Sequence, residues 1–244
     1  MSESLIISRR FRGPENSGNG GYTCGLVAGF IDGDAEVTLR RPPPLDRPLA
    51  VSRDGGRVLV HDGPDLIAEG VPQRLDLEVP PAPTPEEAEA AVPRYAGFAR
   101  HFFPGCFVCG PARAPGDGVR LFPGWVPGRD LVAAPLPADT SLPARDGFLA
   151  LEIVWSLLDC PGAWAVERQT EETGVVLGRM AARVTAPFPA GGAGVAAGWP
   201  LGREGRKLYS GTALFGADGR LHGCARQTWI VLAAAAEGEE NNST

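Results

Sequence analysis

Two apolar segments of helical length, residues 22–31 and 148–167, are each followed by a run of short alternating segments broken at glycine or proline. Apolar residues cover most faces of both segments, so neither can lie on a surface with one side turned to water. A helix of this kind has to be enclosed, and the strands that come after it are the material available to enclose it. The order of the chain therefore predicts a buried helix wrapped by an antiparallel meander, and predicts it twice.

The first unit opens with a strand at 5–9 and the approach Ser17-Gly18-Asn19-Gly20-Gly21, then the helix, then a strand at 35–40 that stops at Pro42-Pro43-Pro44 because proline removes ladder donors. Segments 49–53 and 57–61 flank Asp54-Gly55-Gly56, a hairpin turn whose glycines supply positive φ, and 65–70 adds one more strand. Residues 80–93 read as a proline-stiffened linker opening into an exposed helical turn, with acids near its positive end. The expected division is an N-terminal unit at 1–80, a linker at 81–97, a C-terminal unit at 98–235 and a disordered polar tail at 236–244. In the second unit, strand material in 118–137 precedes the helix. Strands at 175–187, 194–199, 208–215 and 221–232 follow it, the last two joined by the turn Ala217-Asp218-Gly219-Arg220.

A length of 244 residues allows either one large domain or two of roughly 100–150, so the repeated layout decides for two. The net charge of −6 and the scatter of basic residues argue against nucleic-acid binding. No stretch approaches the ~20 uninterrupted apolar residues of a membrane span, and the first twelve residues lack the core of a secretory signal, so a soluble cytoplasmic protein is expected. Five irregularly placed cysteines suit reduced thiols rather than a disulfide framework. Cys106 and Cys109 have the spacing of half a zinc site, but no second CxxC or paired histidine accompanies them, and His61, His101 and His222 stand apart. A packed reduced pair and no metal site are expected.

Cys106-Phe107-Val108-Cys109-Gly110-Pro111, followed by Gly118-Val119-Arg120-Leu121, resembles the opening of hotdog-fold thioesterases of the phenylacetate-pathway and 4-hydroxybenzoyl-CoA types. Ser156-Leu157-Leu158-Asp159-Cys160-Pro161-Gly162-Ala163-Trp164-Ala165 resembles the acid-bearing core of their central helix. Asn19-Gly20-Gly21-Tyr22-Thr23 and the strand Val37-Thr38-Leu39-Arg40-Arg41-Pro42 are similar to the helix entrance and following strand of tandem-hotdog acyl-CoA thioesterases. The resemblance implies an α+β tandem hotdog, two antiparallel sheets each wrapped around a central apolar helix. It implies hydrolysis of a small acyl thioester, no cofactor beyond the CoA moiety of the substrate, and, by analogy, a homodimer through sheet edges.

In that family the acid lies eight residues after the first glycine of the entrance. Counting from Gly20 reaches Ala28, and counting back from Asp159 reaches Leu151, so one half keeps the glycines and the other keeps the acid. Eight helical residues span ~12 Å, too far for one helix to supply both groups to one carbonyl. Antiparallel packing of the two helices would bring Gly20 and Gly21 beside Asp159. Amides at a helix N-terminus would then hold the oxyanion of a thioester carbonyl, worth ~3 kcal/mol per donor. Asn19, Tyr22 and Thr23 are the expected substrate-binding neighbours, and Asp159 would act as general base or as nucleophile.

Blander readings compete for the same residues. The glycines can be an ordinary loop, and Asp159 can cap a turn before Pro161. Glu152 reads as a solvent-facing or capping acid, while Trp155, Trp164, Tyr22 and Phe30 read as core. Arg203, Arg206 and Lys207 are candidates for a CoA phosphate or an ordinary hairpin turn. A non-catalytic acyl-CoA or acyl-lipid binding protein and a partner module are the alternatives to an enzyme.

Overall fold

The computed structural model describes residues 3–136, 138–170 and 173–233, and the expected tail at 236–244 lies outside them. In the first half, β1 (Glu3–Ile6) leads to α1 (Gly20–Ala28), and then β2 (Ala35–Leu39), β3 (Pro48–Asp54), β4 (Arg57–Asp62) and β5 (Asp65–Pro72) follow. A short helix, α2 (Pro85–Ala91), precedes the second half. There β6 (Gly124–Trp125), β7 (Val132–Leu136), β8 (Ala144–Arg145) and β9 (Phe148–Leu149) come before α3 (Leu151–Val166). After it run β10 (Val175–Val184), β11 (Gly194–Glu204), β12 (Lys207–Gly216) and β13 (Leu221–Val231).

The expected pair of sheets is one sheet. Eleven strands run in the order β1-β3-β4-β5-β2-β10-β13-β12-β11-β7-β6, while β8 and β9 form a separate ribbon. The join is β2 against β10, antiparallel, with Ala35 opposite Ala182 and Thr38 opposite Arg179. Had the sheets stayed apart, both strands would carry a row of unpaired N–H and C=O groups along an edge, and mutual pairing removes both edges. On either side of the join the order is the same: the strand after the helix is central, and a strand that precedes the helix, β1 on one side and β7 on the other, lies outside the three-strand meander.

Both long helices lie on one face of this sheet, α1 over β2, β5 and β10 and α3 over β10 to β13. Strand alternation sends Met180, Leu208, Leu214 and Ala225 toward them, into the core that holds Val27, Ile153 and Leu157. The alternate residues Ala181, Ala213, Phe215 and Cys224 point to the opposite face. That face is covered too. The stretch expected to be a spacer with an exposed turn is docked there, with Ala88 and Ala91 of α2 fully buried beside Leu75, Val126 and Trp199. Thr84 and Glu87 close a reciprocal capping box over Pro85, so this helix starts where proline and acid placement predict. What the prolines do not reveal is that its alanines form an apolar stripe complementary to the back of the sheet.

Candidate functional site

α1 and α3 cross antiparallel and in close contact. A Cβ on Gly21 would collide with Asp159 Cβ and the Trp155 carbonyl, and one on Gly25 would meet Glu152 Cα and the Trp155 side chain. Glycine at these two positions, one turn apart on one face, is what allows the backbone of α1 to reach the side chains of α3. The reach is used: the Gly21 N–H donates to Asp159 Oδ2 at 2.9 Å.

Asn19 does two jobs at the same point. Its Oδ1 accepts the Tyr22 N–H at 2.9 Å and caps α1. Its Nδ2 donates to Asp159 Oδ2 at 3.0 Å. One carboxylate oxygen thus holds two donors, while Oδ1 of the same buried group has no hydrogen-bond partner among the described residues. Burial pushes the Asp159 carboxyl up to about 7, against the lowering effect of the Gly21 N–H, with the nearby Cys106 raising it further and Asn19 opposing.

The turn of α3 that carries Asp159 is held from the sheet. Pro161 lies inside the helix and has no N–H to give it. Gln227 of β13, fully buried, donates Nε2 to the Leu158 carbonyl at 2.7 Å and to the Asp159 carbonyl at 3.1 Å. Its Oε1 accepts from Ser210 Oγ at 2.8 Å, and Ser210 Oγ accepts from Trp229 Nε1 at 2.8 Å. Gly162 makes room for this contact, since a Cβ there would land on Gln227 Oε1.

Asp159 opens onto a cavity of about 650 Å³ whose lining includes Asn19, Gly20, Trp164, Leu177 and Trp229. The lining is mostly apolar, and the α1 N-terminus is one of its polar parts. The N–H of Gly20, the first residue of that helix, meets no acceptor among the described residues. The two glycine amides expected to share one role are therefore divided: Gly21 is bonded to the carboxylate and Gly20 remains open.

Tyr22 and Thr23, expected to bind substrate, lie off the cavity. Tyr22 stacks on Phe11 with centroids 4.1 Å apart, and burial lifts its hydroxyl to about 12. Thr23 Oγ1 donates to the Asn19 carbonyl at 2.9 Å and buttresses the cap. Glu152, expected at the surface, is buried and paired with Arg145 at 3.0 Å. The side chains of Arg203 and Arg206 hold backbone carbonyls, Arg203 those of Gly205 and Gln169 and Arg206 that of Val231, and neither residue lines the cavity. Trp155 is core, as expected, whereas Trp164 contributes to the cavity wall.

Sequence reasoning missed Gln227 and the company kept by the CxxC pair. Cys106, Cys109 and Cys160 are free, buried and clustered on the cavity wall, with Cys106 Sγ 3.8 Å from Cys160 Sγ. The adjacency of Cys160 to Asp159 was the available signal: any fold that brings 106–109 to the acid brings the third sulfur as well.

No protein-family model matches the sequence, and no curated protein matches it. Solved structures share its architecture. The tesB protein of Mycobacterium avium subs paratuberculosis matches with a TM-score of 0.59 and 12% identity, over 90% of this chain and 89% of that one. Acyl-CoA thioesterase II TesB2 from Mycobacterium marinum matches with 0.54 and 15%, over 96% and 97%. A conserved protein of unknown function with a hot dog fold from Alicyclobacillus acidocaldarius matches with 0.53 and 9%, over 96% and 93%. At these identities the likeness is one of fold, and the fold is hotdog-like. No helix among the described residues is long and apolar enough to cross a membrane.

Proposed function

We propose that the chain hydrolyses acyl thioesters, acyl-CoA being the substrate class, at one composite site between the N-terminus of α1 and the middle of α3. The observation that carries this reading is the asymmetric carboxylate. Asp159 Oδ2 is pinned by Gly21 N–H and Asn19 Nδ2, while Oδ1 of the same cavity-lining residue has no partner among the described residues. The unclaimed Gly20 N–H, at the positive end of a helix, stands on the same cavity as a donor for a carbonyl oxygen.

In this reading a water bound to Oδ1 gives its proton to Asp159 as its oxygen attacks the thioester carbon. The carbonyl oxygen becomes an oxyanion against Gly20 N–H. The C–S bond then breaks, its electron pair leaves on sulfur, and the proton held by Asp159 goes to the departing thiolate. The acyl group lies along the apolar wall of Leu177 and Trp229. The two hotdog units, at 1–80 and 98–235, contribute the donors and the acid respectively, so neither is competent alone.

The test is thiol release by the purified chain on a panel of straight-chain acyl-CoAs together with phenylacetyl-CoA and 4-hydroxybenzoyl-CoA, the acyl types of the families the motifs resemble. Turnover is expected, with kcat lowered by about 100-fold or more in Asp159→Asn and KM little changed. Undiminished turnover in that variant overturns the role of Asp159. Tight acyl-CoA binding by the native chain without turnover replaces the enzyme with a binding protein.

A further inference from the structure

The cysteine cluster plays no part in the proposed hydrolysis, and it is built as a site. Cys106 and Cys109 come from the loop before β6 and Cys160 from α3, and the three sulfurs lie within 4.8 Å of one another. Zinc bonded tetrahedrally to thiolates at about 2.3 Å requires sulfurs about 3.8 Å apart. The Cys106–Cys160 separation is 3.8 Å.

The surroundings point donors at the sulfurs. Asn19 Nδ2 lies 3.9 Å from both Cys106 Sγ and Cys160 Sγ. His101 Nδ1 accepts the Phe103 N–H at 3.0 Å, so in the neutral ring Nε2 carries the proton and donates to Cys109 Sγ, 3.4 Å away. His101 is thus a partner to a ligand rather than a ligand, the usual support around metal-bound sulfur. Gly110 completes the CxxC turn, since a Cβ there would strike backbone atoms of Pro104 and Cys106.

We propose that Cys106, Cys109 and Cys160 form a three-thiolate site for a zinc ion, with the fourth position open to the cavity. All three residues line that cavity, where a water completes the tetrahedron. A purely sulfur ligand set selects a thiophilic ion over magnesium or calcium. On binding, each thiol exchanges its proton for a metal–sulfur bond, and no oxidation or reduction takes place. The ion would tie the 101–110 loop to α3 and so fasten the wall on which Asp159 stands.

The test uses the full chain, purified with a reductant, stripped with a chelator and titrated with cobalt(II) as a spectroscopic substitute for zinc. Expected are thiolate-to-cobalt charge-transfer absorption in the near ultraviolet and the intense visible bands of tetrahedral cobalt, saturating at one ion per chain and abolished when zinc is added. Cys160→Ser and Cys106→Ser remove the bands, and Cys224→Ala, altered on the opposite face of the sheet, keeps them. Circular dichroism checks that each variant is folded. The proposal is overturned if the native chain shows no charge-transfer band, an outcome that needs no variant. It is equally overturned if folded Cys160→Ser saturates as the native chain does. Neither readout depends on hydrolysis, so failure here leaves the proposed enzymatic activity standing.

Discussion

Gly21→Ala and Gly25→Ala form a matched pair that separates packing from chemistry. Both glycines face α3, and at both a new Cβ would meet α3 atoms closer than van der Waals contact. Overpacking of this sort costs about 1–3 kcal/mol, and replacing a helical glycine by alanine returns about 1 kcal/mol, so each variant loses about 0–2 kcal/mol of stability. Their effects on turnover differ. At Gly21 the helices must separate where the N–H holds Asp159 Oδ2 at 2.9 Å, weakening a hydrogen bond to a charged group worth about 1.5–3 kcal/mol. At 1.36 kcal/mol per tenfold, kcat/KM falls by about 10- to 150-fold. At Gly25 the neighbours are Glu152 and Trp155, which take no part in the site, and kcat/KM should remain within about threefold of the native value, a change under 1 kcal/mol. Denaturant unfolding and steady-state thiol release on the same preparations give both quantities. Equal activity losses in the two variants, with equal destabilisation, would refute the view that the Gly21 amide orients the acid.

Asn19 can be dissected in the same way. Asn19→Ala loses the cap and the donor to Asp159, lowering stability by about 1 kcal/mol and kcat by about tenfold, whereas Asn19→Ser restores the cap and hence the melting temperature without restoring kcat. Gln227→Met leaves the Leu158 and Asp159 carbonyls and Ser210 without their partner, at a cost of about 2–4 kcal/mol measured by denaturant unfolding; a loss under about 0.5 kcal/mol would mean the turn at Pro161 does not rely on the sheet. Ala88→Asp places an unpaired charge between α2 and the sheet and should lower the melting temperature sharply, while a free linker would tolerate it unchanged.

Much of the site was legible because it depends on local order. Counting from Gly20 and from Asp159 led to the expectation that two helices would share one site, and the structure does bring Gly21 of one helix against Asp159 of the other. The division of labour between Gly20 and Gly21 was not legible, because it depends on whether the amide one residue further along α1 turns toward the other helix. The single sheet escaped for a related reason. Alternation within β2 and β10 identifies them as strands but carries no record of which edge pairs with which. Gln227 read as one polar residue in an alternating strand, and its meaning appears only when Pro161, far away in sequence, is set against it. The docking of α2 was hidden by its acids, which dominate its composition while the buried alanines between them set its position.

The central claim is that a thioester carbonyl sits between the open amide of α1 and the unpinned oxygen of Asp159. A crystal structure of the chain with a non-hydrolysable acyl-CoA analogue, its sulfur replaced by a methylene group, measures this directly. The account predicts the carbonyl oxygen within hydrogen-bond distance of Gly20 N and the carbonyl carbon facing Asp159 Oδ1, with one water between them. An analogue bound with its carbonyl elsewhere in the cavity, and Asp159 Oδ1 in contact with neither carbonyl nor water, would contradict it.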